Sequence, residues 1–134
     1  MTESSARELI VELARSMYER RLTFGSSGNI SVKLPDGWLM TPTGSSMGRL
    51  DPARLSKVSV DGKLVSGDAP TKESFLHLAM YRERAAAGAV IHLHSTHSVA
   101  VSCLDGIDHA DVLPPITAYY VMRIGKLPLI PYYA

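Results

Sequence analysis

Cysteine is nearly missing from this chain. Its single thiol, Cys103, has no internal partner, so no internal disulfide staples the fold and a reducing, cytoplasmic setting is expected. No apolar run approaches the ~20 residues that a bilayer span needs. The opening residues, Met1 to Glu8, lack a basic cluster followed by an apolar stretch, so no signal peptide is expected. Neither sign of charge dominates. With 14 Lys and Arg against 13 Asp and Glu, the formal net charge is +1, which makes no electrostatic case for a nucleic acid or an anionic membrane as partner. Internal repeats, low-complexity tracts and a long linker are absent as well. So are three catalytic signatures: a phosphate loop closed by Gly-Lys-Ser/Thr, a dinucleotide fingerprint and a Gly-x-Ser-x-Gly elbow.

What is present is a chain of 134 residues, 46% hydrophobic and 20% charged, enough for one domain over 1–134 with a buried core. It closes on the apolar, β-prone run Leu127 to Ala134, where frayed polar residues are commoner, so a C-terminal truncation is expected. A helix is predicted over 5–22, with Ser5 and Glu8 at capping-box spacing and Leu9, Leu13 and Met17 recurring every four residues beside Ile10. Alternating Ile30, Val32 and Leu34 predict a strand over 29–34. Pro35-Asp36-Gly37 is turn chemistry, and a return strand is predicted over 38–41. A second hairpin is predicted over 57–65, turning at Asp61-Gly62. A second helix follows over 71–87, with Phe75, Leu78 and Ala79 apolar and Gly88 as its C-cap. Further elements are a strand over 89–94, short helices over 96–104 and 117–124, and a terminal strand. Hairpins mixed with helices indicate an α/β or α+β layered domain on an antiparallel sheet.

Chemistry is suggested at three places. In Val90-Ile-His92-Leu-His94-Ser95, strand alternation puts both imidazoles on one face, a half-site for zinc or a similar transition ion. The alternative is a polar strand face. His97, three residues on, could be a ligand, a supporting group or a surface histidine. Gly25-Ser26-Ser27-Gly28-Asn29-Ile30-Ser31 and Thr41-Pro42-Thr43-Gly44-Ser45 are small-residue loops flanking one hairpin. Each is an ordinary turn by itself, and together they suit an anion cradle. In Ala69-Pro70-Thr71-Lys72-Glu73, Thr71 and Lys72 sit where a helix begins, and helix N-termini attract anions. Glu73 there is either a helix-end carboxylate or, beside a metal, a general acid/base. His77 is a partner or a core histidine, Cys103 a buried packing residue, and one of Tyr119 and Tyr120 could be an acid.

Taken in order, Ser26-Ser-Gly-Asn-Ile-Ser31, Thr41-Pro-Thr-Gly44, Pro70-Thr-Lys-Glu73 and His92-Leu-His94 resemble the class II aldolase/adducin family over nearly the whole chain. The resemblance implies a three-layer α/β/α fold with a central, mainly antiparallel sheet, usually assembled as a homo-tetramer. It implies a divalent ion, commonly zinc, held by three histidines. His92 and His94 match two of them, and none of His77, His97 and His109 matches the third. It implies phosphate binding by Ser26, Ser27, Gly28, Asn29, Thr43 and Gly44, and by the pair Thr71-Lys72, whose lysine departs from the aldolase pattern. Glu73 matches the acid/base, and Tyr119 matches, more loosely, a tyrosine that reaches a neighbouring subunit's site. Within the family, Asp68-Ala-Pro-Thr-Lys-Glu-Ser74 and His92-Leu-His-Ser-Thr-His97 look most like members that decarboxylate 3-oxo-tetronate 4-phosphate to dihydroxyacetone phosphate through a metal-stabilised enediolate. The alternatives are an aldolase for a phosphorylated sugar, a sugar-phosphate epimerase and a non-enzymatic adducin-like binding module. Retention of His92, His94 and Glu73 favours an enzyme.

Overall fold

A computed structural model describes residues 2–132, which divide into two compact units, one ending at His94 and the other beginning at Ser95. The first unit opens with α1 (Glu3–Glu19). Its cap is Thr2, whose Oγ1 accepts from Ser5 N, so Ser5 lies inside the helix and the expected capping box does not form. The inward stripe of α1 is Ala6, Ile10 and Ala14, with Met17 half-buried beside it, whereas Leu9 and Leu13 are exposed. The expected Leu9–Leu13 stripe is therefore one position out of phase. The buried alanines have no bulk to hold the helix away from the sheet and from the short 3₁₀ turn Met47–Arg49.

Two hairpins follow as the turn residues predict: β1 (Asn29–Leu34) with β2 (Gly37–Met40), then β3 (Ser56–Ser59) with β4 (Leu64–Ser66). Next come α2 (Ser74–Glu83) and β5 (Ala89–His92). All neighbours in the sheet are antiparallel, in the order β4-β3-β2-β1-β5. On β1, Ile30, Val32 and Leu34 face α1 and join its core, together with Leu39 and Leu55. Ser31 faces the other way, towards His77 and Tyr81 of α2, and the ring of Tyr81 stacks on Trp38 of β2 at 6.2 Å. Helix, sheet and helix thus form the expected α/β/α layers.

Three expectations about this half are corrected. α2 starts three residues later than predicted and ends at Glu83, so Gly88 does not cap it. A backbone bond from Ala87 N to Arg84 O turns the chain towards β5 instead. The buried face of α2 carries His77 and Tyr81 rather than Phe75, which is 69% exposed. β5 ends at His92, so His94 lies just past the strand.

The second unit contains α3 (Thr96–Ser102), capped by Ser95, and α4 (Ala118–Arg123), capped by Thr117. Backbone bonds from Val112 N to Leu127 O and from Leu129 N to His109 O tie together the segments before and after α4. No terminal strand forms among the described residues, since Pro128 and Pro131 each remove a ladder donor, and residues 133–134 lie outside them. Cys103 is exposed, against the expectation of burial. No helix is long and apolar enough to cross a membrane among the described residues.

Candidate active site

The sheet places the chemistry by register. Asn29, the first residue of β1, pairs with His92, the last of β5, and both side chains fall on the α2 face. Helix α2 begins directly above them. Its cap residue, Glu73, makes no side-chain cap bond to the helix. The carboxylate turns into the site, where Oε2 accepts from Asn29 Nδ2 at 2.5 Å and from His92 Nδ1 at 2.9 Å. Glu73 therefore does not serve the helix end, because a carboxylate doing so would bond to the first-turn N–H groups.

The loops expected to cradle an anion meet at the same place. A cleft of about 320 Å³ is lined by Ser26, Ser27, Gly28, Asn29, Thr43, Gly44, Thr71, Lys72, Glu73 and His94, with Pro42. Eight of these are the anion-binding residues expected from the sequence. The first loop is pinned from inside: buried Thr23 donates from Oγ1 to Ser27 O at 2.6 Å, and Ser27 Oγ donates to Phe24 O at 2.7 Å. Gly28 adopts φ +77°, a left-handed conformation that glycine takes without steric penalty, and a Cβ there would lie 3.1 Å from His92 O. The second loop is tied to the segment before α2 by Thr43 N donating to Ala69 O and Thr71 N donating to Thr41 O. Buried Thr71 accepts from Glu73 N through Oγ1, and Lys72 is exposed beside it.

His92 and His94 lie side by side, ring centroids 4.7 Å apart, and one donor atom from each of Glu73, His92 and His94 falls within 4.8 Å of the others. A tetrahedral zinc site with bonds of about 2.0–2.1 Å holds its donors about 3.4 Å apart, a spacing of the same order as this set's. Two imidazoles and a carboxylate suit a divalent transition ion. Burial tends to raise the Glu73 pKa. The Asn29 hydrogen bond and the charges of His92 and His94 outweigh it and hold the carboxyl below its ordinary range.

Among the described residues, none of the other histidines joins this cluster. Both ring nitrogens of His77 are engaged, with Asn29 and with Ser31. His97 lies on α3 and His109 in a loop of the second unit, both exposed. Tyr119 is on α4 of that unit, 69% exposed, with the Arg123 guanidinium 5.6 Å from its ring centre. The sequence reading missed the interior side of the site. Ser31 and Tyr81 were unassigned, although Glu73, His77 and Tyr81 share the four-residue spacing that puts them on one stripe of a helix.

A sheet with helices on both faces, carrying two histidines and a carboxylate beside two small-residue loops, is the arrangement the motif order implies. The family described as Class II Aldolase and Adducin N-terminal domain matches residues 8–134, and the chain belongs to it. Over 132 residues the chain is 54% identical to 3-oxo-tetronate 4-phosphate decarboxylase of Escherichia coli K12, covering 98% of this chain and 62% of that protein. It is 52% identical to the enzyme of the same name from Haemophilus influenzae, covering 99% of this chain and 64% of that protein. A solved structure of YgbL from Escherichia coli, described as an aldolase/epimerase/decarboxylase candidate, superposes with a TM-score of 0.91 at 52% identity, over 98% of this chain and 64% of that one. The chain thus spans a little over three fifths of the length of these relatives.

Proposed function

We propose that the protein is a metal-dependent carbon–carbon lyase that decarboxylates 3-oxo-tetronate 4-phosphate. The observation that carries this reading is the Glu73 carboxylate, which leaves its helix end to meet His92 and His94 at the edge of a cleft walled by hydroxyl and glycine loops. The relatives named above support the choice of substrate.

The substrate phosphate would be bound by Ser26, Ser27, Gly28, Asn29, Thr43, Gly44 and Thr71, and Lys72 adds a positive charge for the phosphate or the carboxylate. Loss of CO₂ breaks the bond between the carboxylate carbon and C2. The electron pair passes into the C3 carbonyl, leaving an enediolate. A proton delivered to C2 completes dihydroxyacetone phosphate. Glu73 is the group placed to relay it: ionised at rest, it would take a proton from solvent and pass it to C2 through Oε1, which accepts from none of the described residues, while Oε2 holds two protein donors. A divalent ion bound by His92 and His94, zinc by the nitrogen donors, supplies the Lewis acidity that the developing oxyanion needs.

Tyr119 is proposed as an acid that serves a neighbouring subunit in a homo-oligomer, a tetramer by family resemblance. A cytoplasmic location agrees with a small phosphorylated substrate and the lone thiol Cys103. The deciding experiment compares CO₂ release from 3-oxo-tetronate 4-phosphate with aldehyde release from a ketose 1-phosphate, using the complete, metal-loaded protein. CO₂ alone is expected. Aldehyde alone would make the protein an aldolase, since that cleavage generates the same enediolate.

A further inference from the structure

Behind Glu73 a line of hydrogen bonds runs inward between β1 and α2. Asn29 Nδ2 lies 2.5 Å from Glu73 Oε2, and Asn29 Oδ1 lies 2.5 Å from His77 Nε2. His77 Nδ1 lies 2.7 Å from Ser31 Oγ, which lies 2.9 Å from Tyr81 OH. Asn29, Ser31, His77 and Tyr81 are all buried, and His77 and Ser31 have no exposed surface. Ser31, His77 and Tyr81 do not line the cleft.

Burial disfavours a charged imidazole at His77, and for the neutral ring the line has only one consistent direction. An ionised carboxylate only accepts, so Asn29 must turn its N–H to Glu73 and its carbonyl oxygen to His77. His77 must then carry its proton on Nε2. Its bare Nδ1 accepts from the Ser31 hydroxyl, and the Ser31 oxygen accepts from Tyr81. Every donor points towards Glu73. The opposite His77 tautomer would set its bare Nε2 against the Asn29 carbonyl, and relieving that clash by turning the amide would set a carbonyl against the carboxylate. One proton position deep in the layer therefore decides which end of an amide faces the active site.

We propose that His77 is a positioning residue: held as the neutral Nε2–H tautomer by Ser31 and Tyr81, it locks the Asn29 amide so that Glu73 is fixed through Oε2 and presents Oε1 to the substrate. The catalytic consequence rests on the lyase reading above; the tautomer and the amide orientation do not.

The test is long-range proton–nitrogen NMR of the complete protein labelled at histidine and asparagine, without substrate. The expected spectrum shows His77 neutral and protonated on Nε2 at neutral pH, with a strongly displaced Asn29 side-chain N–H. His77→Gln can still donate to Asn29 and accept from Ser31, so it should keep that displaced signal and stay within about threefold of wild-type turnover. His77→Leu fills the space without donating. It should lose the signal and lower kcat by about 10–100-fold, as loss of supporting hydrogen bonds does at ligand sites, with KM within about twofold. Tyr81→Phe keeps the packing and should give a smaller loss in the same direction. A His77 protonated on Nδ1, a doubly protonated His77, or an Asn29 signal unchanged in His77→Leu would overturn the proposal. A wild-type protein that releases no CO₂ would sink the lyase reading instead, and the spectrum would still decide the relay.

Discussion

Gly28 offers a quantitative test of how tightly the loop before β1 is bound to β5. Gly25 and Gly28 both have left-handed backbone angles, φ +57° and φ +77°. Alanine at either position incurs a left-handed penalty of about 1 kcal/mol. Nothing lies within 4 Å of a Cβ at Gly25, so that penalty is its whole cost. A Cβ at Gly28 would come within 2.9 Å of Thr23 Oγ1 and 3.1 Å of both His92 O and Met47 Sδ. Thr23 and Met47 are buried, and Thr23 is committed to Ser27, so neither yields freely. Moving them, or disturbing the Thr23 bond, adds about 1–2 kcal/mol. Unfolding entropy is about 2.1 cal/mol/K per residue, so for 134 residues each kcal/mol shifts Tm by about 3.5 °C. Gly25→Ala should therefore lower Tm by about 3–4 °C and Gly28→Ala by about 7–11 °C in differential scanning calorimetry. Equal shifts for the two variants would refute the close packing of loop against strand.

Three further outcomes are expected. Glu73→Gln should retain its thermal transition and lose about 10²–10⁴-fold in CO₂ release, the range for a proton-transfer group; near-normal turnover would remove Glu73 from the chemistry. The double variant His92→Ala, His94→Ala should hold far less metal than wild type by elemental analysis after dialysis, and equal metal in the two would refute the ligand assignment. Glu3 is held below its ordinary pKa of 4.5 by hydrogen bonds from Lys57 and Arg7. The folded protein then binds fewer protons there than the unfolded chain, so the contribution is present above that ordinary value and fades as pH falls through the lowered one. Urea unfolding across an acid pH series should show a flatter acid limb for Glu3→Gln; an unchanged slope would mean that Lys57 and Arg7 do not hold the carboxylate in solution.

The hairpins were legible because their signals are local. Alternating Ile30, Val32 and Leu34 next to Pro35-Asp36-Gly37 specify strand, turn and face together. That the two small-residue loops and the Glu73 segment meet at one cleft was legible from their order along the chain, which a short motif alone does not supply. The contact face of α1 was not, because periodicity favours large apolar residues, while the helix rests on Ala6 and Ala14. The direction of Glu73 was open as well: a carboxylate at a helix start has a local use, and only the pairing of Asn29 with His92 shows that it serves the sheet. His77 was the hardest to read. Its role depends on two strand residues some 48 and 46 positions away, a separation with no sequence signature.

Strand β1 divides its side chains by parity. Even-numbered residues close the hydrophobic layer under α1, and Asn29 and Ser31 supply the polar line under α2. A slip of one residue in pairing would exchange the two sets, pushing isoleucine and valine among the histidines and stranding an amide in oil. Misassembled protein of this kind would forfeit solubility, so a soluble preparation should hold β1 in one register or fail to accumulate, with little ground between.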